Sequence, residues 1–117
     1  MKNWLIAIVI IGFLALASAS QAAVTLTLTW QDNSDNETGF IVERKVGPAT
    51  IPTEVTRTGI NAVTFVDTNL VLGTQYCYQI KAFNAAGMSA PSNIACASTP
   101  TVPAAPGNVT VTVTVAP

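Results

Sequence analysis

Apolar and polar residues alternate one for one in segment after segment of this chain. In VTLTLTW (24–30), Val24, Leu26, Leu28 and Trp30 fall on one side and threonines on the other. That period of two is the mark of a half-buried β-strand. FIVERKV (40–46) puts Phe40 and Val42 on one face, and QYCYQIKAFN (75–84) does the same with Tyr76, Tyr78, Ile80 and Ala82. AVTFVDTNL (62–70) and NIACAST (93–99) read as further strands, and TEVTRTG (53–59) as a short polar strand at a sheet edge. The breaks between them are rich in Gly, Pro, Asn, Asp and Ser: QDNSDNETG (31–39), GPATIP (47–52), VLGT (71–74) and AAGMSAPS (85–92). Helical periodicity is absent after residue 22. Short strands at regular spacing with such turns predict an all-β protein built as an antiparallel β-sandwich.

The two ends depart from this pattern. Residues 1–22, MKNWLIAIVIIGFLALASASQA, carry one basic residue, Lys2, then an apolar run from Trp4 to Ala17 and a cluster of small residues. The run is shorter than the roughly 20 residues that a comfortable membrane span needs. We read a secretory signal, cut after Ala22 in preference to Ala19; the alternative is an uncleaved membrane anchor. No cysteine follows it that could carry a lipid anchor. At the other end a proline-rich linker, read as 100–106, leads into GNVTVTVTVAP (107–117). There Val109, Val111, Val113 and Val115 alternate with threonine. This is a strand in search of a sheet.

Composition narrows the chemistry. The chain has 117 residues, enough for one domain, a net charge of −1 and only 9% charged residues. That leaves no basic patch for a nucleic-acid backbone. There is no histidine, so the commonest general base and metal ligand are missing. Serines and threonines are plentiful but lack a base to activate them. DNSDNE (32–37) offers calcium-friendly oxygens but lacks the glycine that an EF-hand loop needs at its sixth position. Asn36 and Asn108 begin formal glycosylation sequons, which are not expected to be used behind a bacterial-looking signal. Arg44, Lys45 and Arg57 suggest a mildly basic face. No enzyme activity, cofactor or metal site is expected. The two cysteines, Cys77 and Cys96, allow a single intramolecular pairing, and export would permit it.

The sequence resembles a fibronectin type III domain of the bacterial kind, an immunoglobulin-like sandwich. LTLTWQDNSDNETGFIVERK is similar to the family's strand B, B–C loop and strand C, with the core tryptophan at Trp30. TFVDTNLVLGTQYCYQIKAFNAAGMSAPSN is similar to strands E and F, the E–F corner between them and the F–G turn. Leu70, Gly73, Thr74 and Tyr76 match the corner; Ala82, Asn84, Gly87, Ser89 and Ser92 match the end of F and the turn into G. Leu72 stands where the family often has proline. The match covers about residues 24–99, within a sandwich domain read as 23–99. The resemblance implies a core of Trp30, Leu70, Tyr76, Tyr78 and Ile80. It also implies a Tyr76 hydroxyl bonded to backbone just upstream, and turn contacts for Asp32 and Glu37. If strands F and G pair, Cys96 sits opposite Cys77 on the outer face and a disulfide staples the hairpin. Free thiols or an intermolecular link are the alternatives.

The family's first strand, A, is not in its expected place, because cleavage after Ala22 leaves only Ala23 before strand B. PAAPGNVTVTV (103–113) looks like the entry and strand A of a further such domain. Strand B runs antiparallel to A in the family, and G runs the same way as A. A tail folding straight back on its own strand B would therefore lie parallel to it. A neighbouring copy could receive it in the antiparallel sense. The expectation is a secreted, extracellular structural subunit on the bacterial surface that polymerises head to tail into a filament. Val109, Val111, Val113 and Val115 form the donated strand, and Val24, Leu26 and Leu28 lie on the acceptor strand. Its partner is itself, with no nucleic acid and no membrane after cleavage; a cell-surface or carbohydrate partner is left open. The alternatives are a monomeric binding or spacer module and a truncated piece of a multidomain surface protein.

Overall fold

The structure, a computed structural model, describes residues 6–13 and 23–117. Among the described residues eight strands follow one another: β1 (Ile6–Phe13), β2 (Ala23–Trp30), β3 (Gly39–Val46), β4 (Thr53–Thr58), β5 (Thr64–Asp67), β6 (Gln75–Asn84), β7 (Gly87–Met88) and β8 (Ala95–Ser98). They form two antiparallel sheets. One has the order β1-β2-β5; the other has β4-β3-β6-β7, with β8 also paired to β6. Among the described residues no helix is long and apolar enough to cross a membrane.

The alternation along each strand becomes the core between the sheets. Leu26, Leu28 and Trp30 of β2 meet Phe40 and Val42 of β3 and Tyr76, Tyr78, Ile80 and Ala82 of β6. Leu26, Leu28, Phe40, Val42 and Ile80 have no exposed surface. Each large side chain so buried contributes roughly 1.5–3 kcal/mol. Trp30 and Phe40 meet edge to face across the sandwich, with ring centroids 5.7 Å apart. Leu70 and Phe65 pack against the rim of this cluster, half-buried.

Turn geometry sets where strands stop. The segment 62–70 keeps strand geometry only over Thr64–Asp67, because Asn61 and Asn69 on either side adopt positive φ angles of 60° and 58°. Asparagine tolerates that region better than most residues. The loop at 85–92 contains the two-residue strand β7, so the chain after β6 turns back at once as a tight hairpin. Gly39 opens β3 because a Cβ there would collide with the Thr58 carbonyl of β4. The outer face of β3 is also partly covered. Ile41 is buried there between its register partners Arg57 and Lys81, and the Arg57 guanidinium lies 5.0 Å from the Phe83 ring centroid.

The basic face expected from Arg44, Lys45 and Arg57 does not form. Arg44 shares the inward phase of Phe40 and Val42 and donates to Asp67 at 2.8 Å. Arg57 pairs with Glu54 at 3.0 Å on the edge strand. Lys45 has the opposite phase to Arg44 and stands across from Cys77 on β6. The period of two sends neighbours 44 and 45 to opposite faces.

The position of β1 is the other departure. Residues 6–13 lie within the segment read as a leader, yet they run antiparallel to β2 as an eight-residue ladder, from Ile6 opposite Trp30 to Phe13 opposite Ala23. The place that seemed empty in the sequence is filled by a stretch of isoleucine and valine, residue types that favour extended backbone. Residues 1–5 and 14–22, with both candidate cleavage positions, are outside the described residues.

Candidate functional site

The corner between β5 and β6 is tied together by hydrogen bonds that also fix where the C-terminal tail begins. The Val71 amide donates to the Tyr76 hydroxyl at 2.8 Å. The buried Thr99 hydroxyl donates to the Val71 carbonyl at 2.6 Å and accepts from the Thr74 amide at 3.0 Å. The Thr99 amide donates to the Thr74 carbonyl, and the Gly73 amide donates to the Pro100 carbonyl at 2.9 Å. Gly73 has φ +64°, and Thr101 Cγ2 lies 3.0 Å from where its Cβ would be. Thr99 therefore clamps the end of the sandwich, and the chain leaves it after residue 101. Sequence reading missed this role; Thr99 was simply the last residue of the strand.

Asp67 joins the two sheets near the same end. Its Oδ2 accepts from Arg44 Nη1 at 2.8 Å and from the Tyr78 hydroxyl at 2.5 Å. Burial first, then the Asp67 carboxylate, pushes the Tyr78 phenol well above its ordinary value. Burial pulls the Arg44 guanidinium down, but its bond to Asp67 and that carboxylate's charge outweigh burial and leave it raised. This network links the two sheets.

At the opposite end, Asp32, Ser34 and Glu37 hold the β2–β3 loop. The Ser34 amide donates to Asp32 Oδ1 at 3.1 Å and its hydroxyl to Glu37 Oε2 at 3.0 Å. The Glu37 backbone amide holds this carboxyl below its ordinary value against the opposing effect of burial, helped by Asp32 and Ser34. These are turn contacts. Beside them the β2–β3 loop and the β6–β7 hairpin enclose an open cleft lined by Asn36, Glu37, Phe83, Asn84 and Met88. No group of three or more potential metal ligands occurs among the described residues.

Cys77 and Cys96 stand directly opposite each other on β6 and β8 and are joined by a disulfide. Further along the same edge the chain is too irregular for a ladder, and serines take its place. The Ile80 amide donates to Ser92 Oγ at 2.8 Å and the Ala82 amide to Ser89 Oγ at 2.9 Å.

The edge of β2 and the tail carry the remaining unexplained chemistry. Val24, Leu26 and Leu28 are buried on the core face of β2. Ile6 and Ile8 of β1 pack against that core. Among the described residues the tail makes no strand: residues 99–117 form no ladder. Val109, Val111, Val113 and Val115 are 81–89% exposed. So the structure does not bring the proposed donor valines onto the acceptor strand of the same molecule.

Strand directions define the geometry between them. β2 and β8 are each antiparallel to a neighbour whose position the Asp67 network fixes. β8 runs in the same sense as β1, and both end near the pole where β2 begins. The tail thus leaves the sandwich at the end of the β1 position, not at its start.

These two sheets, this strand order and the tyrosine-anchored corner are those of a known sandwich. The sequence matches the Fibronectin type III domain family over residues 16–97. The chain belongs to the fibronectin type III domain family. Solved structures share this fibronectin type III architecture. The twitchin kinase region from C.elegans (Fn31-NL-kin-CRD-Ig26) matches with a TM-score of 0.57 and 21% identity over 65% of this chain. The match covers only 14% of that longer protein. A structure described as a myokine matches with a TM-score of 0.55 and 18% identity, over 66% of this chain and 83% of its own. At these identities the likeness concerns the fold. No curated protein matches the sequence.

Proposed function

We propose that this fibronectin type III domain is a secreted structural subunit that assembles head to tail on the bacterial surface. In this reading each copy donates residues 109–115 to β2 of the next. One observation carries it: the strand beside β2 is supplied by residues 6–13, which bear the marks of an export leader, while an alternating valine/threonine run of equal length stands unpaired and exposed at the other end. Removal of the leader would open the β2 edge and uncover one side of Val24, Leu26 and Leu28. An open edge over an apolar core invites strand addition. The tail of the same copy leaves at the wrong pole and would have to double back along the whole sandwich to run antiparallel to β2. A second copy placed in line has no such detour. The contact is heterologous and repeats, which gives an open filament.

The test is strand addition in trans. The chain is exported with a stop after Thr99, its N-terminus is read by mass spectrometry, and a peptide of residues 106–117 is titrated in. Saturable one-to-one binding that raises the melting temperature is expected of a subunit beginning at Ala23. A processed subunit that ignores the peptide contradicts the reading.

A second reading has an observation of its own. If residues 1–22 are retained, β1 completes the sandwich and the chain is a monomeric binding or spacer module with a free tail. The purified protein would then keep residues 6–13 and stay monomeric.

A further inference from the structure

The β1–β2 ladder records how the edge of β2 accepts a strand, and the sequence of the tail allows only one way of repeating it. Positions 6, 8, 10 and 12 stand opposite Trp30, Leu28, Leu26 and Val24. β1 meets these partners with Ile6, Ile8, Ile10 and Gly12, and a donor with apolar side chains at the same spacing would face the core-side residues of β2. The tail has four valines at that spacing, Val109, Val111, Val113 and Val115. We infer that a second copy adds to β2 in a single register: Val109 opposite Trp30, Val111 opposite Leu28, Val113 opposite Leu26 and Val115 opposite Val24. This rests on the proposed strand donation and specifies its interface.

Three features exclude the neighbouring registers. A slip of one residue turns every valine to solvent and every threonine to the core. A slip of two in one direction brings Pro117 opposite Val24, within the ladder, where its missing N–H removes a donor. A slip of two in the other direction brings Gly107 opposite Trp30 and draws Asn108 into the strand. Asn108 has φ 56° in the single chain, so this register would require it to leave a turn conformation for an extended one. Gly107-Asn108 before the strand and Pro117 after it therefore bracket eight residues, 109–116, against the eight of β2.

Two more observations agree. The Trp30 indole N–H is buried without a hydrogen-bond partner, and in this register the Asn108 carboxamide and the Gly107 carbonyl arrive beside Trp30. The nine residues 100–108 can also span about 30 Å when extended. That is ample for a chain passing from the pole where it leaves one sandwich to the adjoining pole of a copy placed in line. Because residues 6–13 hold the same four β2 partners, leader and donor are mutually exclusive occupants.

The test is cross-strand disulfide capture on the outward threonines. In the inferred register Thr110 lies opposite Thr29, which is exposed, and the native Cys77–Cys96 pair shows that direct register partners in this protein can be bridged. The full chain carrying Thr29→Cys and Thr110→Cys is exported, collected after processing and oxidised. Thr29→Cys with Thr112→Cys, two residues out of register, is the control, and Thr27→Cys with Thr112→Cys is a second in-register pair should the first fail to fold. The expected result is a shift from monomer to a ladder of covalent oligomers for the in-register pairs, with linked peptides identified by mass spectrometry, and no ladder for the control. A ladder from the control pair, or assembly in which no in-register pair links, overturns the register but leaves strand donation standing. A parent chain that is processed and stays monomeric overturns strand donation itself.

Discussion

Ile8 stands directly opposite Leu28 across the β1–β2 ladder and packs against the core that Leu28 helps to form. On the far side of β2, Phe65 of β5 is the other register partner of Leu28. A residue from the segment read as a leader thus does the packing that strand A does in this family. Under the proposed processing, an apolar, extended residue would have to take the place of Ile8. In the inferred register that residue is Val111 of the neighbouring copy.

The donated valines should be separable from subunit stability. In the single chain Val111 and Val113 are 89% and 84% exposed. Val111→Asp or Val113→Asp should therefore shift the unfolding free energy of a subunit by less than about 0.5 kcal/mol. The same changes should abolish assembly, because each would bury an unpaired carboxylate. Thr112→Asp, on the outward face, should leave assembly largely intact. Urea unfolding and analytical ultracentrifugation of the three variants check both halves of the prediction.

The disulfide closes a loop with a sequence separation of 19 residues. Replacing Cys77 and Cys96 together with alanine should lower stability by about 3 kcal/mol on the chain-entropy estimate. Because the bridge lies on the outer face, the β2 edge should keep its shape. The double variant should still bind the 106–117 peptide under conditions where it is folded, as measured by titration calorimetry beside urea unfolding.

Thr99 should matter more than its place at the end of a strand suggests. Thr99→Val keeps the shape but removes the hydroxyl that bonds the Val71 carbonyl and the Thr74 amide. A loss of roughly 1–3 kcal/mol is expected for these part-buried groups left without a partner. Tyr76→Phe, which strips the acceptor from the Val71 amide, should cost a similar amount. Since both residues hold Val71, the double variant should lose less than the sum of the two. Chemical denaturation of the four members of this cycle gives the coupling directly.

The Tyr78 phenol gives a pH dependence with a definite sign. Its value in the fold is raised above the ordinary 10.0 by burial and by Asp67. A raised acid binds its proton more tightly folded than unfolded. The stabilisation is therefore complete below about pH 10 and is lost progressively as pH rises above that value. Tyr78→Phe removes this contribution. Unfolding free energies between pH 8 and 11 should fall more steeply for the parent chain than for the variant.

Much of this architecture was legible in the sequence because a period of two survives translation into a sheet. Trp30, Phe40, Tyr76, Tyr78 and Ile80 are buried in the phase their spacing sets. The register that joins Cys77 to Cys96 follows from folding one strand back beside the next. What could not be read depends on contacts between distant segments. Arg44 looked like a surface charge until Asp67, 23 residues away, drew it inward. Thr99 acquires its role only because Val71 and Thr74 lie beside it in space. The apolar run read as a leader offered no periodic signal for a strand; residues 6–13 nevertheless pair with β2 along its whole length. The alternation at 107–117 predicts a strand, but in the structure those residues form no ladder and stay exposed.

Electron microscopy and sizing of the exported, processed chain, beside the same chain stopped after Thr99, test the central claim most directly. The account predicts filaments of the chain that begins at Ala23 and ends at Pro117, and only monomers of the shortened one. Monodisperse monomer from both chains, or filaments that persist without residues 100–117, would contradict it.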